Sequence, residues 1–180
     1  EYGWNWLWRD GQAAKLTKKA YDHLIGENAT PEQRREFQAY WLQCETEWLR
    51  AERSFAGVLA FTHLTNNYGF TGDWYINDIR DLEAGPSFQW FRHAFAPANV
   101  FIDLADQRYF PNGNYSPGQK LDFKLVGVND HPEPVTGRIE LLLLDSGNKI
   151  IKRIRSEISI PPYGRTDQPA SLRLPSRNGG

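Results

Sequence analysis

Little in this 180-residue chain is extreme, and what it lacks narrows the field first. It holds 1 cysteine, so no internal disulfide can form, and Cys44 falls in an amphipathic pattern away from any His or Asp constellation. Methionine is absent altogether. Neither sign of charge dominates: 21 Lys and Arg against 22 Asp and Glu leave a formal net charge of -1, which gives no basic footprint for nucleic acid. No apolar run approaches the ~18 residues a membrane helix needs, and no signal peptide is recognisable. The histidines His23, His63, His93 and His131 show no close paired spacing for zinc, and no cysteine partners them. Asp73, Asn77, Asp78 and Asp81 lack the alternating spacing, central Gly and terminal Glu of a calcium loop. Neither G-x-S-x-G nor a phosphate-cradling glycine loop occurs. The expectation is therefore no metal, no cofactor, and no nucleic-acid or membrane partner.

What is present in quantity is aromatic: 7 Trp, 8 Tyr and 10 Phe, which suits either a dense core or a carbohydrate surface. Three of the indoles crowd into Glu1-Tyr2-Gly3-Trp4-Asn5-Trp6-Leu7-Trp8-Arg9-Asp10-Gly11, where a carboxylate heads an aromatic-rich loop. Sugar chemistry uses that combination: a glutamate offers a nucleophile to an anomeric carbon while flat, weakly polar rings stack on pyranose faces. Trp4, Trp6 and Trp8 alternate with Asn5 and Leu7, so an extended segment would put all three indoles on one side, facing either a sugar or the core. A chain that opens on such a loop, with no initiator Met, reads as the C-terminal piece of something longer.

The stretch EYGWNWLWRDG, the run from Leu16 to Gly69 after it, and then VNDHPEPVTGRIELLLLD resemble, in that order, the late part of glycoside hydrolase family 2 enzymes. These are the β-galactosidase, β-mannosidase and β-glucuronidase-like retaining glycosidases. The resemblance covers most of the chain; Glu-Tyr-Gly by itself would be a weak signal. It implies a multidomain fragment: residues 1–97 as the end of a (β/α)8 TIM barrel, about strands seven and eight with their helices, and residues 98–180 as an all-β immunoglobulin-like sandwich. It also implies that Glu1, at the end of the seventh strand, is the nucleophile, and that the acid/base glutamate lies on the fourth strand, upstream of residue 1. The other partners it implies are a carbohydrate substrate and the rest of the parent polypeptide, an upstream barrel and an N-terminal sugar-binding domain. A bacterial periplasmic or extracellular setting is the corresponding expectation.

Punctuation gives the organisation. Thr30-Pro31-Glu32-Gln33 has the form of a capping box with Pro at the first helical position, and Phe37, Trp41, Cys44 and Trp48 follow at three- and four-residue spacing. This predicts a helix from about Pro31 to Arg53, with Trp41 and Trp48 in the core and Arg34, Arg35, Glu45, Arg50 and Glu52 on a solvated face. The apolar run Phe55–Phe61 reads as a strand buried on both faces. Between Thr62 and Leu82 lies a polar and aromatic loop, long enough to be functional, and barrel active sites are built from loops of that kind. Its His63, Asn66, Asn67, Tyr68, Asp73 and Trp74 are candidates to contact substrate hydroxyls. The alternative is a loop that hydrogen-bonds to itself. Residues from about Pro86 to Phe95, with Phe88, Phe91 and Phe95 on one stripe, read as a closing helix.

After Pro97 the pattern changes to short strands at 100–104, 120–128, 137–144 and 149–154, separated by Pro, Gly, Asn and Asp turns, which suggests an antiparallel sandwich. The tail Pro175–Gly180 reads as a linker. Two function classes emerge. The first is retaining hydrolysis of a β-glycoside, with Glu1 as nucleophile and Trp4, Trp6, Trp8, His63, Asn66, Asn67 and Trp74 around the sugar. The alternative is a non-catalytic carbohydrate-binding or assembly module.

Overall fold

The computed structural model describes residues 7, 11–13, 18–58, 84–104 and 115–176. The chain divides into two compact units, Glu1–Ala96 and Pro97–Gly180. The first is helical in its described residues, with α1 at Lys18–Ile25, α2 at Pro31–Ala51 and α3 at Pro86–Ala94. The second is antiparallel β throughout, with β1 at Ala98–Asp103, β2 at Lys120–Asn129, β3 at Val135–Leu144, β4 at Ile150–Ile160 and β5 at Arg165–Arg173. Residues 59–61 of the expected strand and the loop expected between Thr62 and Leu82 lie outside the described residues, as does everything before Leu7.

α2 starts where the sequence says it should. The Gln33 N–H donates to Thr30 Oγ1 at 3.2 Å while the Thr30 N–H donates to Gln33 Oε1 at 2.8 Å, so two otherwise orphaned donors are satisfied reciprocally. Pro31 occupies the first turn, where no N–H is needed. At the far end the helix stops at Glu52, whose carboxylate accepts from Ser54 Oγ, two residues on, at 2.9 Å. The Phe55 N–H then donates to the Glu52 carbonyl at 3.2 Å. This turn corrects the expectation of a buried strand at Phe55–Phe61. Phe55 is 47% exposed, residues 55–57 are exposed and outside any strand, and Phe55 is held edge-on against Trp48. Residues 59–61 lie outside the described part. Trp48 is also corrected: it is 40% exposed, a lid on Phe55 rather than a core residue.

The core of the first unit is Leu7, Tyr21 and Phe37, with Ala13, Leu24, Ile25, Tyr40 and Trp41 packed around it. Tyr21 meets Phe37 edge-on at 5.7 Å, and Phe37 meets Trp41 at 5.9 Å. Leu7 is bridged antiparallel to Ala13 across a turn at Gly11. Gly11 has a φ of 77°, and a Cβ there would come within 2.4 Å of Pro31 Cβ, so only glycine lets this turn lie on the start of α2.

In the second unit, β2 is the central strand of the sheet β1-β2-β5, and β3 and β4 form a separate hairpin. The two sheets meet where β2 has no side chain. A Cβ on Gly127 would approach Ile160 Cδ1 to 2.7 Å and Ile158 Cδ1 to 2.9 Å, so the glycine admits both isoleucines. Leu125, Val126, Val128, Phe101, Ile158, Ile160 and Leu172 are buried around this point. Two features go beyond the sequence reading: β4 runs on to Ile160, and β5 exists at all. β5 carries Pro169, which a central strand rejects; it is tolerated here because β5 lies at the sheet edge.

Candidate functional site

None of the sequence-derived site residues can be placed: Glu1, Trp4, Trp6, Trp8, His63, Asn66, Asn67, Tyr68, Asp73 and Trp74 all lie outside the described residues. Within the same tryptophan-rich stretch the structure places Leu7 and Gly11. Leu7, in the middle of the tryptophan run, is 1% exposed and lodged in the core beside Tyr21 and Phe37.

Around that anchor the described residues gather polar groups on two stripes of α2. The first faces α1. Arg34 donates to the carbonyls of Gly11 and Glu27, each at 3.4 Å, and so holds the Gly11 turn and the α1–α2 connection to one helix turn. Tyr21 is 2% exposed, and its hydroxyl has no hydrogen-bond partner among the described residues. Burial pushes this phenol well above its usual range, with the Arg34 charge opposing and the Glu45 charge adding. Glu45, further along α2, is pushed up to about 7 by burial. It was expected on a solvated face, and the structure corrects that.

The second stripe is Tyr40, Gln43, Glu47 and Arg50, spaced three and four residues apart, and it is covered by α3. Tyr40 meets Trp90 edge-on at 6.4 Å, and Gln43 Nε2 donates to Glu47 Oε1 at 2.7 Å. Arg50 is 7% exposed; its guanidinium donates to the Ala94 carbonyl at the end of α3 and lies 5.9 Å from the Phe95 ring centroid. A cation is favourable at a helix C-terminus, where carbonyls are left over. This too corrects the sequence reading, which placed Arg50 in solvent. Hydrophobic periodicity could not reveal the stripe because its buried members are polar. The available signal was the recurrence of polar residues at helical spacing beside an aromatic-rich second helix.

A carboxyl that titrates near neutrality has the right pKa for acid/base work. The cause of the shift at Glu45 decides its role. Burial raises it, with no second carboxylate among the described residues contributing, whereas a working pair of glycosidase carboxylates would push each other's pKa values apart. Glu45 is a part-buried carboxyl whose raised pKa comes from burial. Its folded-state pKa lies above its ordinary value of 4.5, so the folded state holds the proton more tightly. The stability of the first unit should fall as pH rises from about 4.5 to about 7 and level off above, a loss of about 2 kcal/mol once solvent screening is allowed for. All seven tryptophans lie in residues 1–96, so tryptophan fluorescence during unfolding reports this unit alone. Glu45→Gln should flatten the pH profile and stabilise the unit at pH 8. A profile identical to that of the parent chain would show that Glu45 is not the titrating group.

For Arg50, exchange to Leu keeps bulk but strands the Ala94 carbonyl, whose residue is fully buried. Loss of a charge-assisted hydrogen bond plus one unsatisfied acceptor should cost about 3 kcal/mol. Denaturant unfolding followed by tryptophan emission measures this directly. Loss below 1 kcal/mol would mean water replaces the guanidinium.

Among the described residues no group of three His, Cys, Asp or Glu is placed to hold a metal, and no helix is long and apolar enough to cross a membrane. A scan of the chain against protein-family models and a search of curated proteins each returned no match.

Proposed function

We propose that this chain carries the nucleophile of a retaining β-glycosidase of the glycoside hydrolase family 2 type, β-galactosidase-like in substrate class. On this reading the first unit is the closing part of a (β/α)8 barrel and the second an immunoglobulin-like domain. The observation that carries the proposal is the Glu1-Tyr2-Gly3 triplet at the head of three alternating indoles, followed in family order by the 16–69 run and the HPEP turn. A buried Leu7 and an antiparallel all-β second unit are compatible with it and support it.

In the proposed reaction a Glu1 carboxylate oxygen forms an ester bond to the anomeric carbon while the bond to the aglycone oxygen breaks. The departing oxygen takes the electron pair together with a proton from a second carboxyl group. Water, deprotonated by that same group, then cleaves the ester. Retaining geometry sets the two carboxyl groups ~5 Å apart. The resemblance assigns the second group to none of these 180 residues. Trp4, Trp6, Trp8 and Trp74 supply flat faces to the sugar, and His63, Asn66 and Asn67 supply hydrogen bonds to its hydroxyls.

Covalent trapping tests the assignment. Aryl 2-deoxy-2-fluoro-β-glycosides with a good leaving group destabilise the oxocarbenium-like transition states and slow turnover of the ester more than its formation. The full-length product of the reading frame that encodes this chain should gain one glycosyl group, and peptide mapping should place it on Glu1. A label on a different carboxylate would contradict the role given to Glu1.

A further inference from the structure

Four strands of the second unit have a side with no partner among the described residues, and three of those sides are guarded. β1 is only 6 residues long, β5 carries Pro169, and β4 carries Lys152, Arg153 and Arg155 along its exposed half. Short edges, proline and cations are the devices that keep strands from pairing with foreign ones. β3 has none of them over its distal half. It is 10 residues long and ends in Leu141-Leu142-Leu143-Leu144, with Leu142 39% and Leu144 43% exposed and a register shift against β4 only between Leu143 and Leu144.

Its charges are arranged for one partner in particular. On the outer face of the hairpin Arg138 pairs with Glu157 at 3.2 Å, and Glu140 pairs with Arg155 at 2.9 Å and Arg153 at 3.1 Å. These bonds to arginine hold the Glu140 carboxyl below its usual range. Suppose a second β3 lies antiparallel along the free edge with Ile139 opposite its own copy. Period-two alternation then sets Arg138 opposite Glu140 of the second copy, and the reverse. Each outer row reads Glu157, Arg138, Glu140, Arg155 across four strands, with signs alternating at every step. On the inner face Val135 meets Leu143, and Gly137 meets Leu141. Sliding the copies by two residues, so that Glu140 meets its own copy, puts like charges directly opposite.

We propose that β3 is a self-association edge: two copies of this chain pair antiparallel through β3 about Ile139, joining two hairpins into one four-stranded sheet. A two-stranded hairpin is marginal by itself and gains most from added strands. The occupant of the edge is thus a second copy, selected by charge register.

Sedimentation velocity on the 180-residue chain tests this, with a reversible monomer–dimer equilibrium expected in the micromolar range. Arg138→Glu and Glu140→Arg lie on the exposed face and should each weaken the dimer by about tenfold or more, since like charges then face one another twice. Mixing the two variants should restore dimerisation, because each chain then offers the other its opposite sign. As a second measurement, Ile139→Cys in a Cys44→Ser background should form an intermolecular disulfide on oxidation. Directly opposed strand residues have Cα atoms ~4.5–5.5 Å apart, inside disulfide range. A chain that stays monomeric throughout overturns the proposal. So does a dimer indifferent to both reversals, or a monomer whose β3 amides exchange slowly because the edge is covered from within the same chain.

Discussion

Asn129→Leu should cost the second unit about 3 kcal/mol or more, a large part of the stability of a domain this small. Asn129 is fully buried at the end of β2, and its side chain ties three separate segments together. Its amide nitrogen donates to the Glu133 carbonyl at 2.8 Å and to the Pro161 carbonyl at 3.1 Å, and its amide oxygen accepts from the His131 N–H at 2.9 Å. The backbone extends the knot: the Asn129 N–H donates to the Gly164 carbonyl at 3.0 Å, and the Tyr163 N–H to the His131 carbonyl at 3.1 Å. One side chain thus joins the end of β2, the 130–134 turn and the β4–β5 turn. Leucine fits the volume but takes the side-chain partner from the Glu133 carbonyl and the His131 N–H, and leaves the Pro161 carbonyl with only the Gly164 N–H at 3.2 Å.

Asn129→Asp separates the hydrogen bonds from mere size. The aspartate can still accept from His131, but it points a charged oxygen at two carbonyls in place of a donor. Its pKa should therefore be raised in the folded state, so that this variant, unlike Asn129→Leu, gains stability as pH falls toward and below ~4. The second unit has no tryptophan, so amide exchange along β2 is the readout. If both variants protect β2 as well as the parent chain does, the knot is not what holds the sheets together.

The legible parts of this fold are those where sequence and physics speak the same language. The start of α2 was legible because Thr30, Pro31 and Gln33 act on their own backbone and need no tertiary partner. Strands 120–128 and 137–144 were legible because turn residues bracket alternating or continuous apolar runs. Arg50 and Glu45 were illegible because their burial depends on helices that pack from elsewhere, and a charged residue at helical spacing reads as solvent-facing until its cover is known. β5 was illegible for a local reason: Pro169 and the polar run from Arg165 to Gln168 argue against a strand, and only its place at a sheet edge removes the objection. Phe55 misled in the opposite direction, since an apolar run next to a helix end resembles a buried strand, whereas the chain turns after Glu52 and leaves Phe55 on Trp48. The candidate site was legible only as a motif. Its residues suggest the chemistry by their types and order alone, and of that stretch the described residues include only Leu7 and Gly11.

The role of Glu1 is tested most directly by assaying the full-length product of the encoding reading frame on a panel of aryl β-glycosides, beside its Glu1→Gln variant. Glutamine keeps the shape and size of the side chain but cannot form the glycosyl ester. The account predicts hydrolysis by the parent on at least one glycoside, which names the sugar, and a loss of at least about a thousandfold in kcat for the variant, the scale expected when covalent catalysis is removed. A Gln variant that turns over at the parent rate would contradict it. A parent inert on every glycoside yet able to bind glycans would contradict it equally, and would make this chain part of a carbohydrate-binding protein.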